Sequence, residues 1–143
     1  REYHYAFEEN KYPGVPLLQT IEIDTEPFAI EGVVFTPIRV MHHRLPVLGF
    51  RIGNFTYITD ANFISDEELE KAKGSDVLIL NALQHTPPIS HFTLSEAIEI
   101  AQKIGAKVTY FTHISHKLGI HREIEETLPE GMFLGYDGLK ISL

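Results

Sequence analysis

The hydrophobic positions of this chain alternate in short runs at first and take helical spacings later. Segments rich in β-branched and aromatic residues, separated by Pro, Gly and Asn, predict strands in the first half. These segments are TIEID (20–24), VVFTPIRVM (33–41), LGFRI (48–52) and FTYIT (55–59). The last two predict a hairpin that turns at Gly53 and Asn54. The first half is therefore predicted to be mainly β.

After Asp60 the pattern changes to alternating strands and helices. Ser65 and Glu68 stand at capping-box spacing and predict a short helix that closes on Gly74. A second capping box at Thr93 and Glu96 begins a helix with one apolar face. The remaining predicted elements are the strands DVLILN (76–81) and KVTYFTH (107–113), a helix in HREIEETL (121–128), and a terminal hairpin over 132–143 turning at Asp137-Gly138. This order predicts an α/β fold with a mixed sheet covered by helices.

The 143 residues suffice for one domain, and the first nineteen predict an irregular arm. The absence of cysteine excludes disulfides and thiolate metal sites, and we expect a cytoplasmic protein without a membrane span. A formal net charge of −8 argues against unassisted binding along a nucleic-acid backbone. The eight histidines are the unusual feature, because imidazole is the commonest transition-metal ligand.

Polar residues stand at or just beyond the ends of four apolar strands, namely His42, Asp60, Asn81 and His113. In layered α/β folds, strand ends that share one edge of a sheet are where sites are usually assembled. Histidine and aspartate at such an edge suit Zn²⁺, Mn²⁺ or Fe. A carboxylate can also bridge two ions. The strand ends therefore predict a metal site.

Each candidate also has an ordinary explanation. Asp60 can cap a helix or turn, His42 and His43 can be an exposed loop pair, and His91 can be a polar residue near a helix start. His113 is harder to explain in this way, because a buried strand exit leaves a ring nitrogen that needs a partner. His116 is left open between a substrate contact and a surface residue, and His4, His85 and His121 are interpreted as surface residues.

The order of the motifs VMHHRLPVLGFRIGNFTYITDA (40–61), DVLILNAL (76–83) and SHFTLSEAIEIAQKIGAKVTYFTHISHKLG (90–119) resembles the C-terminal half of the metallo-β-lactamase superfamily. The most similar branch holds the phosphonate-pathway cyclic-phosphate phosphodiesterase and the transfer-RNA 3′-end processing endonuclease. The resemblance implies that His42 and His113 each ligate one of two divalent ions, Zn or Mn, and that Asp60 bridges both. It implies that His91 gives a proton to the leaving oxygen or contacts phosphate.

Two departures from the family pattern shape the expectation. The motif H-x-H-x-D-H, which supplies four further ligands in the family, is absent from this chain, so we expect residues 1–143 to form one partial domain, half of an αββα sandwich. The metal site would then need an N-terminal half or a second chain to supply the missing ligands. A sheet left uncovered exposes apolar surface and unpaired edges, so self-association is also expected. Asn81 stands where the RNA-processing branch carries an acidic residue, which favours small phosphodiesters over nucleic acid.

The resemblance thus implies a dinuclear phosphodiesterase that uses a metal-bound hydroxide as nucleophile when the protein is complete. The alternative is a catalytically silent fragment or scaffold lobe, and for the isolated chain we expect inactivity, because each ion would keep only two protein ligands. A third possibility is a thioester or lactam hydrolase of the same fold.

Overall fold

Eight strands form one mixed sheet in the computed structural model, which describes Gly14 and residues 18–143. The strands are β1 (Phe28–Ile30), β2 (Val33–His42), β3 (Leu45–Ile52), β4 (Phe55–Ile58), β5 (Phe63–Ile64), β6 (Val77–Asn81), β7 (Val108–Thr112) and β8 (Met132–Leu134). Their order is β1-β2-β3-β4-β6-β7-β8, with β5 paired to β2. The first four pair antiparallel, whereas β4, β6, β7 and β8 run parallel. The predicted α/β class with a mixed sheet is confirmed.

Three helices lie within residues 18–143: α1 (Asp66–Ala72), α2 (Leu94–Ile104) and α3 (His121–Glu125). The capping box predicted for α2 forms completely, since Thr93 and Glu96 exchange both hydrogen bonds. Only half of the box predicted for α1 forms. Ser65 accepts from the Glu68 main-chain N–H at 3.3 Å, but the Glu68 carboxylate instead accepts from the main-chain N–H of Arg39 at 2.8 Å. None of these helices is long and apolar enough to cross a membrane.

The core lies between one face of the sheet and the helices. Strand residues that point to this face are fully buried and pack against the apolar faces of α1 and α2; they include Ile38, Ile58, Leu78, Leu80, Phe111 and Leu134. Side chains alternate along a strand, so their neighbours point to the opposite face. On that face Tyr57 is 42% exposed and Phe133 is 39% exposed. No helix of the described residues covers this second face, which is consistent with the expected half sandwich.

Two predicted elements are wrong. TIEID (20–24) is not a strand, because Ile21 and Ile23 project into solvent and the segment finds no partner strand in the described residues. The first strand is β1 instead. The terminal segment is not a hairpin either: β8 pairs in parallel with β7, and the chain turns at Asp137-Gly138 without forming a return strand. The predicted arm over residues 1–19 lies almost wholly outside the described residues.

The strand directions bring four strand ends to one edge of the sheet. Two successive antiparallel pairings place β2 parallel to β4, and β4, β6 and β7 are parallel to one another. Their C-terminal ends therefore share an edge, as the sequence predicted. His42 ends β2, Asn81 ends β6, Asp60 follows β4 by two residues and His113 follows β7 by one.

Candidate metal centre

Four predicted side chains meet at this edge. Oδ1 of Asp60 lies 3.1 Å from Nε2 of His91 and 3.3 Å from Nδ1 of His113. The His91 ring stacks on that of His113, with ring centroids 4.5 Å apart. The ring of His42 packs edge-on against the His91 ring, with centroids 4.9 Å apart. The residues come from positions 42, 60, 91 and 113, so only the fold brings them together.

A short strand pairing places His42 beside Asp60. The chain continues from Asp60 into β5, which pairs antiparallel with the end of β2, where Met41 faces Phe63. Asn62 adds two hydrogen bonds across the same gap. Its main-chain N–H donates to the carbonyl of Met41, and its side-chain Oδ1 accepts from the main-chain N–H of His43, both at 2.8 Å. The residues on both sides of His42 are therefore tied to the Asp60 loop.

His91 is placed by the loop that leads into α2. Two main-chain hydrogen bonds hold Phe92, the residue after His91. The Phe92 N–H donates to the carbonyl of Ala61 at 2.9 Å, and the Phe92 carbonyl accepts from the main-chain N–H of Leu83 at 3.0 Å. On the ring itself, Nδ1 lies 2.9 Å from Oγ of Ser90. The hydroxyl thus occupies the Nδ1 side, and Nε2 faces Asp60. With only 13% of its side chain exposed, His91 has little freedom to turn away.

The backbone is left-handed at two site residues. Asp60 has φ of 55° and His113 has φ of 58°, a region that residues other than glycine enter at a cost. Both stand just beyond a strand end, where the left-handed turn redirects the chain. In these turns the Asp60 carboxylate contacts His91 and His113, and the His113 ring stacks on that of His91.

The donor set fits a divalent transition-metal ion. His42, Asp60 and His91 each offer a ligand atom, and these atoms lie within 4.8 Å of one another. Two imidazoles and one carboxylate are natural ligands for Zn²⁺ or Mn²⁺. The predicted ligand set was His42, Asp60 and His113, with His91 as proton donor. Since His113 also contacts Asp60, the division of roles between His91 and His113 stays a prediction.

The other histidines lie outside this cluster. The side chain of His43 is exposed in the turn after β2, and His85 and His116 are exposed in loops. His121 begins α3, where Nε2 lies 4.0 Å from Oε2 of Glu125 one turn away. His4 lies outside the described residues.

Sequence reasoning missed the supporting roles of Asn62, Asn81 and Ser90. Asn81 is fully buried and exchanges two hydrogen bonds with the main chain of Ala61, each at 2.9 Å. Its position as the polar end of an apolar strand was noted, but nothing in the local pattern names its partner. A buried amide must find hydrogen-bond partners within the fold. The polar end of an apolar strand was therefore the one sequence signal that Asn81 has a supporting role.

The chain matches the family model described as "Beta-lactamase superfamily domain" over residues 1–114. It belongs to the metallo-β-lactamase superfamily. A solved structure of a diphosphatase from the PhnP family is similar at 41% identity with a TM-score of 0.82, covering 85% of this chain and 47% of that one. A solved structure of human tRNase Z, short form, is similar at 22% identity with a TM-score of 0.62, over 80% of this chain and 45% of that one. The superfamily branch predicted from the sequence is therefore confirmed.

A curated relative is an octanoyltransferase of Porphyromonas gingivalis (strain ATCC BAA-308 / W83), which is 39% identical over 139 residues. The match covers 96% of this chain but 28% of that protein. The chain thus spans about half the length of the similar metallo-β-lactamase superfamily structures and little more than a quarter of this relative.

Proposed function

We propose that the complete protein is a divalent-metal-dependent hydrolase that cleaves small phosphodiesters. The observation that carries the proposal is the cluster of His42, Asp60 and His91, whose ligand atoms lie within 4.8 Å of one another, with His113 beside Asp60. Oxygen and nitrogen donors gathered at the open edge of a sheet suit hydrolysis, because a substrate can reach them without unfolding the core.

The proposed roles follow from the contacts. Asp60 contacts the imidazoles of His91 and His113 and would be shared between two ions, while His42 and His113 would each hold one of them. When bound, Zn²⁺ or Mn²⁺ supplies positive charge and lowers the pKa of a coordinated water. His91 is held by Ser90 and is the candidate proton donor to the oxygen that leaves phosphorus. Water adds to phosphorus and loses one proton, the bond to the leaving oxygen breaks, and that oxygen takes one proton from His91, so that the diester and water give a monoester and an alcohol.

Four features favour a small phosphodiester over a nucleic acid. The chain carries 20 acidic and 12 basic residues, which disfavours long contacts with a phosphate backbone. A cleft of about 320 Å³ adjoins His113 and is lined in part by Tyr110 and Tyr136, a volume that suits a small molecule. The similar structure at 41% identity is a diphosphatase. Asn81 stands where an acidic residue is expected in the RNA-processing branch, and this difference also favours a small phosphodiester.

The second candidate is a lobe without activity of its own. It is supported by the chain's coverage of 47% of the diphosphatase chain and by the absence of an H-x-H-x-D-H motif. A metal site with half of its ligands binds weakly, so residues 1–143 alone are expected to be inactive. An N-terminal half or a second chain would then complete the site.

The test is an assay of the complete polypeptide with Zn²⁺ or Mn²⁺ against bis-p-nitrophenyl phosphate, a cyclic phosphodiester, a thioester and a β-lactam. The proposal expects turnover of the phosphodiesters, and loss of about 100-fold or more in His91→Gln, in line with the ~10²–10⁴-fold worth of a general acid. The matched control is His85→Gln, an exposed histidine outside the cluster. Turnover of only the thioester or lactam, or equal effects of the two variants, contradicts the proposal.

A further inference from the structure

Asn81 makes an unusual pair of hydrogen bonds with a single residue. Its Oδ1 accepts from the main-chain N–H of Ala61, and its Nδ2 donates to the carbonyl of the same residue, each at 2.9 Å. The side chain is fully buried at the end of β6. An ionised carboxylate would offer acceptors only and leucine offers neither group, so neither can reproduce both hydrogen bonds.

Ala61 connects this amide to two residues of the candidate metal centre. It directly follows Asp60, whose backbone is left-handed with φ of 55°. Its carbonyl also accepts from the main-chain N–H of Phe92 at 2.9 Å, and Phe92 directly follows His91. One carbonyl therefore receives hydrogen bonds from the side chain of Asn81 and from the segment that carries His91.

We propose that Asn81 is a positioning residue that fixes the main chain next to Asp60 and His91 and so keeps the Asp60 carboxylate within reach of its imidazole partners. Without the amide, the Ala61 N–H would be buried without a partner and the loop would have to shift to regain one. Such a shift moves Asp60 first, because it is the adjacent residue. The inference rests on the proposed function, since it assigns Asn81 to the support of that same metal centre.

The experiment is a Co²⁺ titration of the complete polypeptide, followed by its visible d–d absorption. In Asn81→Leu, which has similar volume and no hydrogen-bonding groups, Co²⁺ affinity is expected to fall about 10–100-fold, the usual effect of losing a group that orients metal ligands. The shape and intensity of the d–d bands are expected to change as well, because they report the geometry of the ligands. A loss of stability alone would leave the bands of the folded protein unchanged.

The matched control is Thr56→Val. Thr56 is equally buried on the neighbouring strand β4, and its hydroxyl bonds to Oγ of Ser75 at 2.7 Å, toward the other end of the strands. Co²⁺ affinity and bands are expected to match the wild type in this variant. Should Asn81→Leu fail to fold, Asn81→Ala removes the same donor and acceptor with a smaller side chain, and is expected to show the same changes.

The possible outcomes separate this inference from the proposed function. If the wild type binds Co²⁺ and the folded Asn81 variants bind it with wild-type affinity and spectrum, the positioning role is overturned and the metal centre stands. The role is also overturned if Thr56→Val changes both readouts as much as Asn81→Leu does. If the wild type binds no Co²⁺, the metal centre itself is refuted, and with it the role of Asn81.

Discussion

Replacing Gly49 with alanine is expected to destabilise the protein by crowding the β3–β4 hairpin. A Cβ atom at this position would lie 2.8 Å from Cγ1 of Ile58 and 2.9 Å from the main-chain oxygen of Tyr57. Both distances are well inside van der Waals contact. Gly49 is part of the LGF segment that follows His42, so the close approach explains why a glycine stands there.

The magnitude follows from which neighbours can move. The Ile58 side chain is fully buried and has little room, and the Tyr57 oxygen belongs to the main chain of β4, which is paired on both sides. Since neither neighbour can yield easily, the cost should lie at the upper end of the overpacking range, about 2–3 kcal/mol. Strand β3 also links β2, which ends at His42, to β4, which leads to Asp60. The crowding should therefore weaken metal binding as well.

Urea unfolding of the metal-free complete polypeptide measures this cost, because removing metal excludes stabilisation by a ligand. The control is Gly53→Asn, at a turn position with φ of 57° where an added Cβ meets nothing within 4 Å. Asparagine tolerates this backbone, so the control should lose less than about 1 kcal/mol. A Gly49→Ala protein within about 0.5 kcal/mol of the wild type, the range of an uneventful surface change, would refute the crowding argument.

Two further predictions concern a helix cap and an ion pair. Thr93→Ala removes the reciprocal capping box of α2 and should cost about 1 kcal/mol in urea unfolding; no loss would show that the box contributes nothing. The hydrogen bond from Lys107 holds the pKa of the Asp76 carboxyl below its ordinary value of 3.8, so this pair stabilises the fold above that pH and the gain is lost as pH falls through the lower, folded value. Lys107→Met should raise the pKa of Asp76 in an NMR titration, and an unchanged pKa would contradict the assignment.

The local pattern was sufficient to predict the strand ends that carry the site. Apolar runs that end in a single polar residue marked His42, Asp60 and His113, and parallel strands necessarily bring such ends to one edge. The capping box of α2 was equally visible, because both of its partners lie within four residues. Features that depend on neighbours in sequence were thus the predictable ones.

Features that depend on distant partners were not predictable in this way. TIEID has the composition of a strand, yet Ile21 is 81% exposed, because no described strand pairs with it. The C-terminal segment pairs with β7 instead of with itself. The Asn81 side chain hydrogen-bonds to Ala61, twenty residues away. The Glu68 carboxylate accepts from the main-chain N–H of Arg39 and so does not complete the cap of its own helix. In each case the presence or the absence of a long-range partner decided the outcome.

The central claim is that the cluster around Asp60 binds metal, and the most direct measurement is the metal content and affinity of the complete polypeptide. Elemental analysis after dialysis against Zn²⁺ or Mn²⁺ should find bound metal in the wild type, and at least about a tenfold weaker affinity in Asp60→Ala. Asp66→Ala, which removes an exposed carboxylate from the start of α1, should match the wild type. A wild type without metal, or an Asp60→Ala protein that binds metal as tightly as the wild type, would contradict the claim.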